Sequence, residues 1–312
     1  MPEPLSLAAS FEHCRRVARA AARNFYYALR LLPPAKRDAL CALYAFMRHA
    51  DDISDSPGDL AAKHQALLAW RGALNRALGG DPPAHPALPA LVHTVATYKI
   101  PAGYLHDLVS GTEMDLHVTR YETFEEFRKY CYRVAGTVGL CCISVFGFRD
   151  PRASELAEKL GLAFQLTNVL RDVAADVAMD RIYLPQEDIS RFGSAAAFTE
   201  RKATPGFVAM MRFQAERAWG FYDEGIGLLP MVSEDSRAAL WALARIYSGL
   251  LSRIEACSFD VFAVPHVRLS AAEKTWTMLR ARFGWWPRNY GIEDSDRGRR
   301  GTGGSVLRRR AG

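Results

Sequence analysis

Apolar residues recur at three- and four-residue spacing through most of the chain, and nowhere does a run of alternating β-branched residues suggest a strand. Gly and Pro punctuate the pattern at Pro33-Pro34, Pro57-Gly58, Gly79-Gly80, Pro101, Pro151, Pro185, Pro205-Gly206 and Pro230. The spacing predicts helices over 11–32, 34–55, 59–78, 86–99, 102–117, 123–148, 152–180, 206–228, 234–258 and 270–283. Pro34 suits the first turn of the second of these, and Leu40, Leu43, Tyr44 and Met47 supply its apolar face. No short repeat is evident. The expectation is an all-α, single-domain helical bundle spanning residues 11–283, after a short N-terminal extension (1–10) and before a C-terminal segment (284–312).

Composition changes this picture little. At 312 residues, 49% hydrophobic and 24% charged, the chain has the balance of an ordinary folded domain. The formal charge of +6 sits at one end: residues 297–312 hold six arginines and no acid, and without them the 40 Lys+Arg fall to 34, equal to the 34 Asp+Glu. A neutral body argues against nucleic-acid binding. The tail is read as disordered from about Asp294, and two roles stay open for it, a solvated end or contact with an anionic membrane surface. Six cysteines without a CxxC or neighbouring histidines read as reduced thiols. The longest uncharged apolar stretch, Val134 to Phe148, has 15 residues, short of the ~20 that span a bilayer. Its small Gly136 and Gly139 suit it to a closely packed helix walling a cavity. A cytoplasmic protein, peripheral to the inner membrane surface at most, is the expectation. An Arg-rich start also fits a transit peptide, but 11–32 is read as a structural helix.

Two acidic clusters carry the candidate chemistry. Asp51 and Asp55 lie four apart at a helix C-terminus, where acids oppose the helix dipole and each other. Either this is a polar helix end, or a cation compensates it. In AFQLTNVLRDVAADVAMD, the residues Gln165, Asn168, Asp172, Asp176 and Asp180 fall within a band about 120° wide on an otherwise apolar helix. A solvated face normally mixes Lys with Glu; this stripe holds only acids and amides. Hard divalent cations take oxygen ligands, often one or two carboxylates plus substrate phosphates. Two aspartate pairs on separate helices therefore suggest a Mg²⁺ and diphosphate site. Arg48, Arg171 and Arg181, each near one of these acids, are read either as phosphate clamps or as ion-pair partners of those acids.

The segments NFYYALRLLPPAKRDALCALYAFMRHADDISD, YCYRVAGTVG and FQLTNVLRDVAADVAMDRIYLP resemble, in that order, the squalene and phytoene synthase family of head-to-head prenyl transferases. The resemblance covers about residues 11–283. It implies the isoprenoid synthase fold with a central cavity, Mg²⁺ dependence and prenyl diphosphate substrates. By position it implies metal-binding roles for Asp51, Asp55, Asn168, Asp172 and Asp176, and substrate contacts from Phe25, Arg48, Gln165, Arg171, Arg181 and Tyr247. Tyr44 and Tyr130 would join the four aspartates as catalytic residues, Tyr44 shielding a carbocation and Tyr130 assisting proton transfer or orienting the departing diphosphate. There are departures: Val264-Pro265-His266 stands where a basic pair is usual, and Asp180, where Gly or Asn is usual, is read as an added carboxylate.

The implied reaction is the 1'-1 joining of two farnesyl diphosphates to presqualene diphosphate, with squalene as a further product. Phytoene formation from two geranylgeranyl diphosphates is the alternative. No GxGxxG follows a strand, so NADPH use leaves no recognisable trace. A non-catalytic assembly role is the remaining alternative; it predicts eroded acid pairs, and both are intact.

Overall fold

The 3.6-residue periodicity of the chain becomes a bundle of helices, described in a computed structural model over residues 6–264 and 267–285. In chain order these are α1 (Leu7–Ala21), α2 (Arg23–Leu29), α3 (Pro34–Asp55), α4 (Leu60–Leu78), α5 (Leu88–Tyr98), α6 (Ala102–His117) and α7 (Phe124–Cys131). They continue as α8 (Thr137–Phe146), α9 (Arg152–Ala178), α10 (Gln186–Arg191), α11 (Ala195–Glu200), α12 (Pro205–Gly225), α13 (Glu234–Ala256) and α14 (Ala271–Arg282). Among the described residues there is no strand, only two isolated bridges, Arg120 with Ile182 and Phe148 with Val232.

Three expected helices are altered. The first begins at Leu7 and breaks at Ala22, whose φ of −83° and ψ of 49° leave the helical region, so 11–32 becomes α1, α2 and a turn. The helix expected over 123–148 is α7, a π-helical segment at Tyr132–Gly136, and α8. The third, expected to reach residue 180, ends at Ala178. The short helices α10 and α11 were not anticipated, because six residues show too little of any period. The arginine-rich segment, the extension at 1–5 and the Pro265-His266 pair lie outside the described residues.

The 27-residue α9 runs through the bundle with α8, α12 and α13 packed against it. Its middle is buried through Leu160, Ala163, Leu166 and Leu170. Thr167 on the same stretch donates to the Ala163 carbonyl at 2.8 Å, so its single proton is used and the Tyr222 hydroxyl of α12, 2.9 Å away, donates to it. A second polar anchor ties α10 to α12: buried Asp188 accepts from Arg217 at 2.6 Å and Gln214 at 2.7 Å. All six cysteines are free thiols, five of them buried.

Two glycines set how closely α9 meets the wall formed by the π-helical segment and α8. A Cβ on Gly161 would lie 2.6 Å from the Ala135 carbonyl oxygen, and one on Gly139 would lie 2.7 Å from that of Ala157. Backbone cannot swing aside as a long side chain can, so the helices would have to separate. Gly161→Ala is therefore expected to lower unfolding free energy by about 1–3 kcal/mol, read as a lower urea midpoint at unchanged m-value.

Candidate active site

The C-terminal half of α3 and the middle of α9 face each other across a polar chamber of about 820 Å³. From α3 come Tyr44, Arg48, Asp51 and Asp55; from α9 come Gln165, Asn168, Arg171 and Asp172. The i, i+3, i+4 spacing aligns each set along one helix face. Phe25 of α2, Tyr247 of α13 and Arg181, just past α9, line it as well, whereas Tyr130 and Asp176 of the expected set do not. Asp176 stands one turn beyond Asp172, beside Arg181 on a small adjoining void. Asp180 does not join them. It follows the end of α9 in the left-handed region (φ 57°) and is turned outward, paired with Arg120 at 2.7 Å. The helix ends before the fifth position of the stripe, which corrects the reading of Asp180 as an extra site carboxylate.

Deeper in the bundle the chamber adjoins an apolar tunnel of about 220 Å³. Phe25, Tyr44, Gln165, Asn168 and Tyr247 line both spaces, so polar mouth and apolar interior meet at these five side chains. Val134, Val138, Gly139 and Cys142 form one tunnel wall, as expected of the 134–148 stretch, with Leu240 and Leu243 opposite. At the junction, Phe25 and Tyr44 lie 6.2 Å apart with rings inclined by 25°, and Tyr247 stacks on Phe164 at 4.6 Å.

Charge is unevenly distributed in this space. Arg48 pairs with Asp52 one turn on, and Arg171 pairs with its neighbour Asp172, Nε to Oδ1 at 2.7 Å. Both arginines are thus engaged with adjacent acids. Asp51 and Asp55 have no such guanidinium in contact among the described ion pairs. Asp51 is reachable from the chamber but walled by protein on its other sides; that burial pushes its carboxyl up to about 7, with Asp55, Asp115 and Asp52 adding repulsion against the nearby Arg48. Burial likewise carries Asp176 to about 7, with Asp172 and Asp115 reinforcing it. Burial holds the Tyr44 phenol up at about 12 and raises those of Tyr130 and Tyr247, so all three are neutral hydrogen-bond donors.

Sequence reasoning missed Asp115. It lies on α6, in GTEMDLH, with no second acid at helical spacing on a chamber face to mark it. Its carboxylate accepts from Tyr130 at 3.2 Å and Tyr183 at 3.0 Å, and Arg181 donates to its carbonyl at 3.1 Å. Tyr130 and Tyr183 stack at 5.3 Å, with Tyr121 5.4 Å from Tyr130. Tyr130 therefore lines not the main chamber but a side pocket of about 230 Å³ that also touches Asp51, Thr112 and Gln165.

The donor set fits a hard divalent cation. It is all oxygen, and two of its carboxyls are pushed toward protonation by burial and by their neighbours, a cost that a cation would relieve. Among the described residues no three acid, His or Cys side chains converge closely enough to hold a metal alone. Phosphate and water oxygens would have to complete its shell, the usual habit of Mg²⁺.

An all-helical bundle with an acid-lined mouth over an apolar tunnel is the architecture of an enzyme for anionic substrates with long apolar tails. The chain matches the squalene/phytoene synthase family over residues 18–273 and belongs to it; it is a prenyl transferase of the head-to-head type. The family acts on prenyl diphosphates and uses a divalent metal with them. The chain is 35% identical over 291 residues to 15-cis-phytoene synthase from Synechococcus elongatus, covering 88% of this chain and 91% of that protein. It is 38% identical over 252 residues to phytoene synthase from Mycobacterium tuberculosis, covering 79% and 82%. Its fold superposes on a dehydrosqualene synthase crystallised with a ligand at a TM-score of 0.82, with 31% identity over 89% of this chain and 97% of that one. No helix among the described residues is long and apolar enough to cross a membrane.

Two predictions come from the site. Asp51 has a folded-state pKa raised above its unfolded value of about 4, so the stability it allows is full at low pH and is lost as pH rises toward its folded value. In metal-free protein the Tm advantage of Asp51→Asn over wild type should accordingly widen from about pH 4 to about pH 7 and level off above it; a constant difference would contradict the raised pKa. Asp115→Asn should lower kcat about 10²-fold, because it removes the carboxylate that orients the Tyr130 and Tyr183 phenols. Tyr183→Phe, which removes one of its two phenol donors, should give a smaller loss.

Proposed function

We propose that this protein joins two geranylgeranyl diphosphates 1'-1 to give phytoene, with Mg²⁺ held by Asp51, Asp55, Asn168, Asp172 and Asp176. The observation that carries the reading is the shared lining of chamber and tunnel, which gives one molecule an anionic head site and an apolar tail site in a single space. The C20 substrate is favoured over the C15 substrate by the curated relatives, which bear the name phytoene synthase.

Bound Mg²⁺ supplies charge neutralisation of the diphosphate and so makes it a better leaving group. Arg48 and Arg171 exchange their present carboxylate partners for phosphate oxygens, and Arg181 reaches the same space. Both exchanges are inexpensive because the Arg48–Asp52 and Arg171–Asp172 pairs retain contact with solvent. The first substrate loses its diphosphate to leave an allylic cation, and the double bond of the second attacks it. Phe25 and Tyr44 keep water from that cation and present ring faces to it, each face contributing about 0.5–2 kcal/mol. The tunnel holds the tails at about 0.8 kcal/mol per buried methylene. Tyr130 Oη, donating to Asp115, assists transfer of the proton lost on cyclopropane closure or orients the departing diphosphate. Departure of the second diphosphate, opening of the three-membered ring and loss of a second proton then give the C40 hydrocarbon, with no reductant required. Gln165 and Tyr247 bind at the junction of head and tail.

Farnesyl diphosphate as substrate, with presqualene diphosphate or squalene as product, is the second reading; the fold likeness to a dehydrosqualene synthase favours it. Purified protein with Mg²⁺ and each substrate in turn, assayed for diphosphate release and for product mass with and without NADPH, separates the two. The expected outcome is a C40 product from the C20 substrate without NADPH. Exclusive C30 product establishes the second reading, and no diphosphate release from either substrate overturns both. Asp51→Asn and Asp172→Asn should each lower kcat by about 10²–10³-fold.

A further inference from the structure

Of the arginines expected to meet phosphate, Arg48 and Arg171 each have a carboxylate to hold the guanidinium, and Arg181 has none among the described ion pairs. Its side chain passes the Asp115 carbonyl, to which it donates at 3.1 Å, and otherwise takes its direction from the backbone. That backbone is unusual. Met179 caps α9 and Asp180 follows in the left-handed region (φ 57°). The Asp180 N–H then returns to the Val177 carbonyl at 3.1 Å, and the Arg181 N–H to that of Asp176 at 2.8 Å. Such a helix ending normally uses glycine, because a Cβ is strained at the left-handed position. Here an aspartate occupies it.

A second segment grips that aspartate. Arg120, in the link between α6 and α7, donates from Nη1 to the Asp180 carbonyl at 2.6 Å and from Nη2 to the Asp180 carboxylate at 2.7 Å. Its Nη1 also donates to the Thr119 carbonyl at 2.8 Å, which accepts from the Ile182 N–H at 2.9 Å, so Arg120 and Ile182 form a parallel bridge. The peptide group joining Asp180 to Arg181 is thus held at both ends, its N–H by Asp176 and its C=O by Arg120.

We propose that Arg120 is a positioning residue for the reaction: by gripping the carbonyl and the carboxylate of Asp180, it keeps Arg181 aimed into the chamber at the diphosphate. Arg120 does not itself line the chamber. The Asp180 side chain is 90% exposed, and an ion pair in that setting adds little stability. What the fork fixes is direction, since two N–H groups in one plane admit a narrow range of peptide orientations. A guanidinium with no carboxylate partner of its own is the one most affected when its backbone turns. This role for Arg120 depends on the phosphate contact proposed for Arg181 above.

The test is a double-substitution cycle on full-length protein, read as diphosphate release and, without turnover, as calorimetric affinity for inorganic diphosphate with Mg²⁺. Arg120→Ala and Arg181→Ala should each lower kcat/KM about tenfold or more and weaken diphosphate binding. Once Arg181 is alanine, Arg120→Ala should add less than about a twofold loss in either readout. Arg120→Lys, which keeps a donor for the Asp180 carbonyl, should recover part of the loss. Equal losses from Arg120→Ala in both backgrounds would show a merely structural role and overturn the proposal, as would wild-type behaviour of either single variant. Wild-type protein that binds diphosphate but releases none from either prenyl substrate would count against the enzymatic reading, and the binding cycle would still decide the role of Arg120. Absence of binding as well overturns both.

Discussion

Like charges brought together in a partly dry space are the constraint around which this molecule is arranged. Asp51, Asp55, Asp115, Asp172 and Asp176 surround one region, and the fields of Asp115 and its neighbours reach both acid pairs. Nothing in that arrangement favours folding. The chain compensates by rigid apolar packing on the sides of α3 and α9 that line no cavity, where Cys41, Ala42, Leu166 and Leu170 are fully buried. Stability is supplied away from the site so that the site can remain unfavourable until ligands arrive.

The two ends of the cavity follow different rules. Around the mouth, the two guanidinium groups already have carboxylate partners, Asp52 for Arg48 and Asp172 for Arg171, while Asp51 and Asp55 have no guanidinium in contact among the described ion pairs. Inside, the tunnel offers few polar atoms, and the ring pairs Phe25–Tyr44 and Phe164–Tyr247 stand where the two regimes meet. A substrate with an anionic head and a hydrocarbon tail is oriented by that boundary alone, before any specific contact is considered.

Much of this was readable beforehand, and the reasons are local. Asp51/Asp55 and the α9 stripe announce themselves because helical spacing turns a sequence interval into a shared face. Pro34 and the apolar period of α3 fix its limits to the residue. Asp180 misled because the period continues on paper past the point where the backbone at Asp180 leaves the helix. Asp115 and Tyr183 escaped because their partnership spans 68 residues and leaves no periodic mark on either segment. The break at Ala22 and the π-helical turn at Tyr132–Gly136 were also hidden, since both preserve the apolar rhythm while altering the backbone beneath it. The exposure of Trp276, Leu279, Phe283 and Trp285 on and just past α14 is legible only from the fold.

The π-helical turn has a developmental consequence for the pocket. A turn of this kind accommodates an extra residue within an otherwise regular helix. Removal of one residue between Tyr132 and Gly136 would restore ordinary α-geometry there and leave the helix beyond it in phase, because the turn already absorbs the extra residue. Val138, Gly139 and Cys142 would keep their places in the tunnel wall, and the change would fall on Val134 and Ala135 alone. One side of the hydrocarbon compartment can thus be reshaped at a single point while the rest of the wall is held.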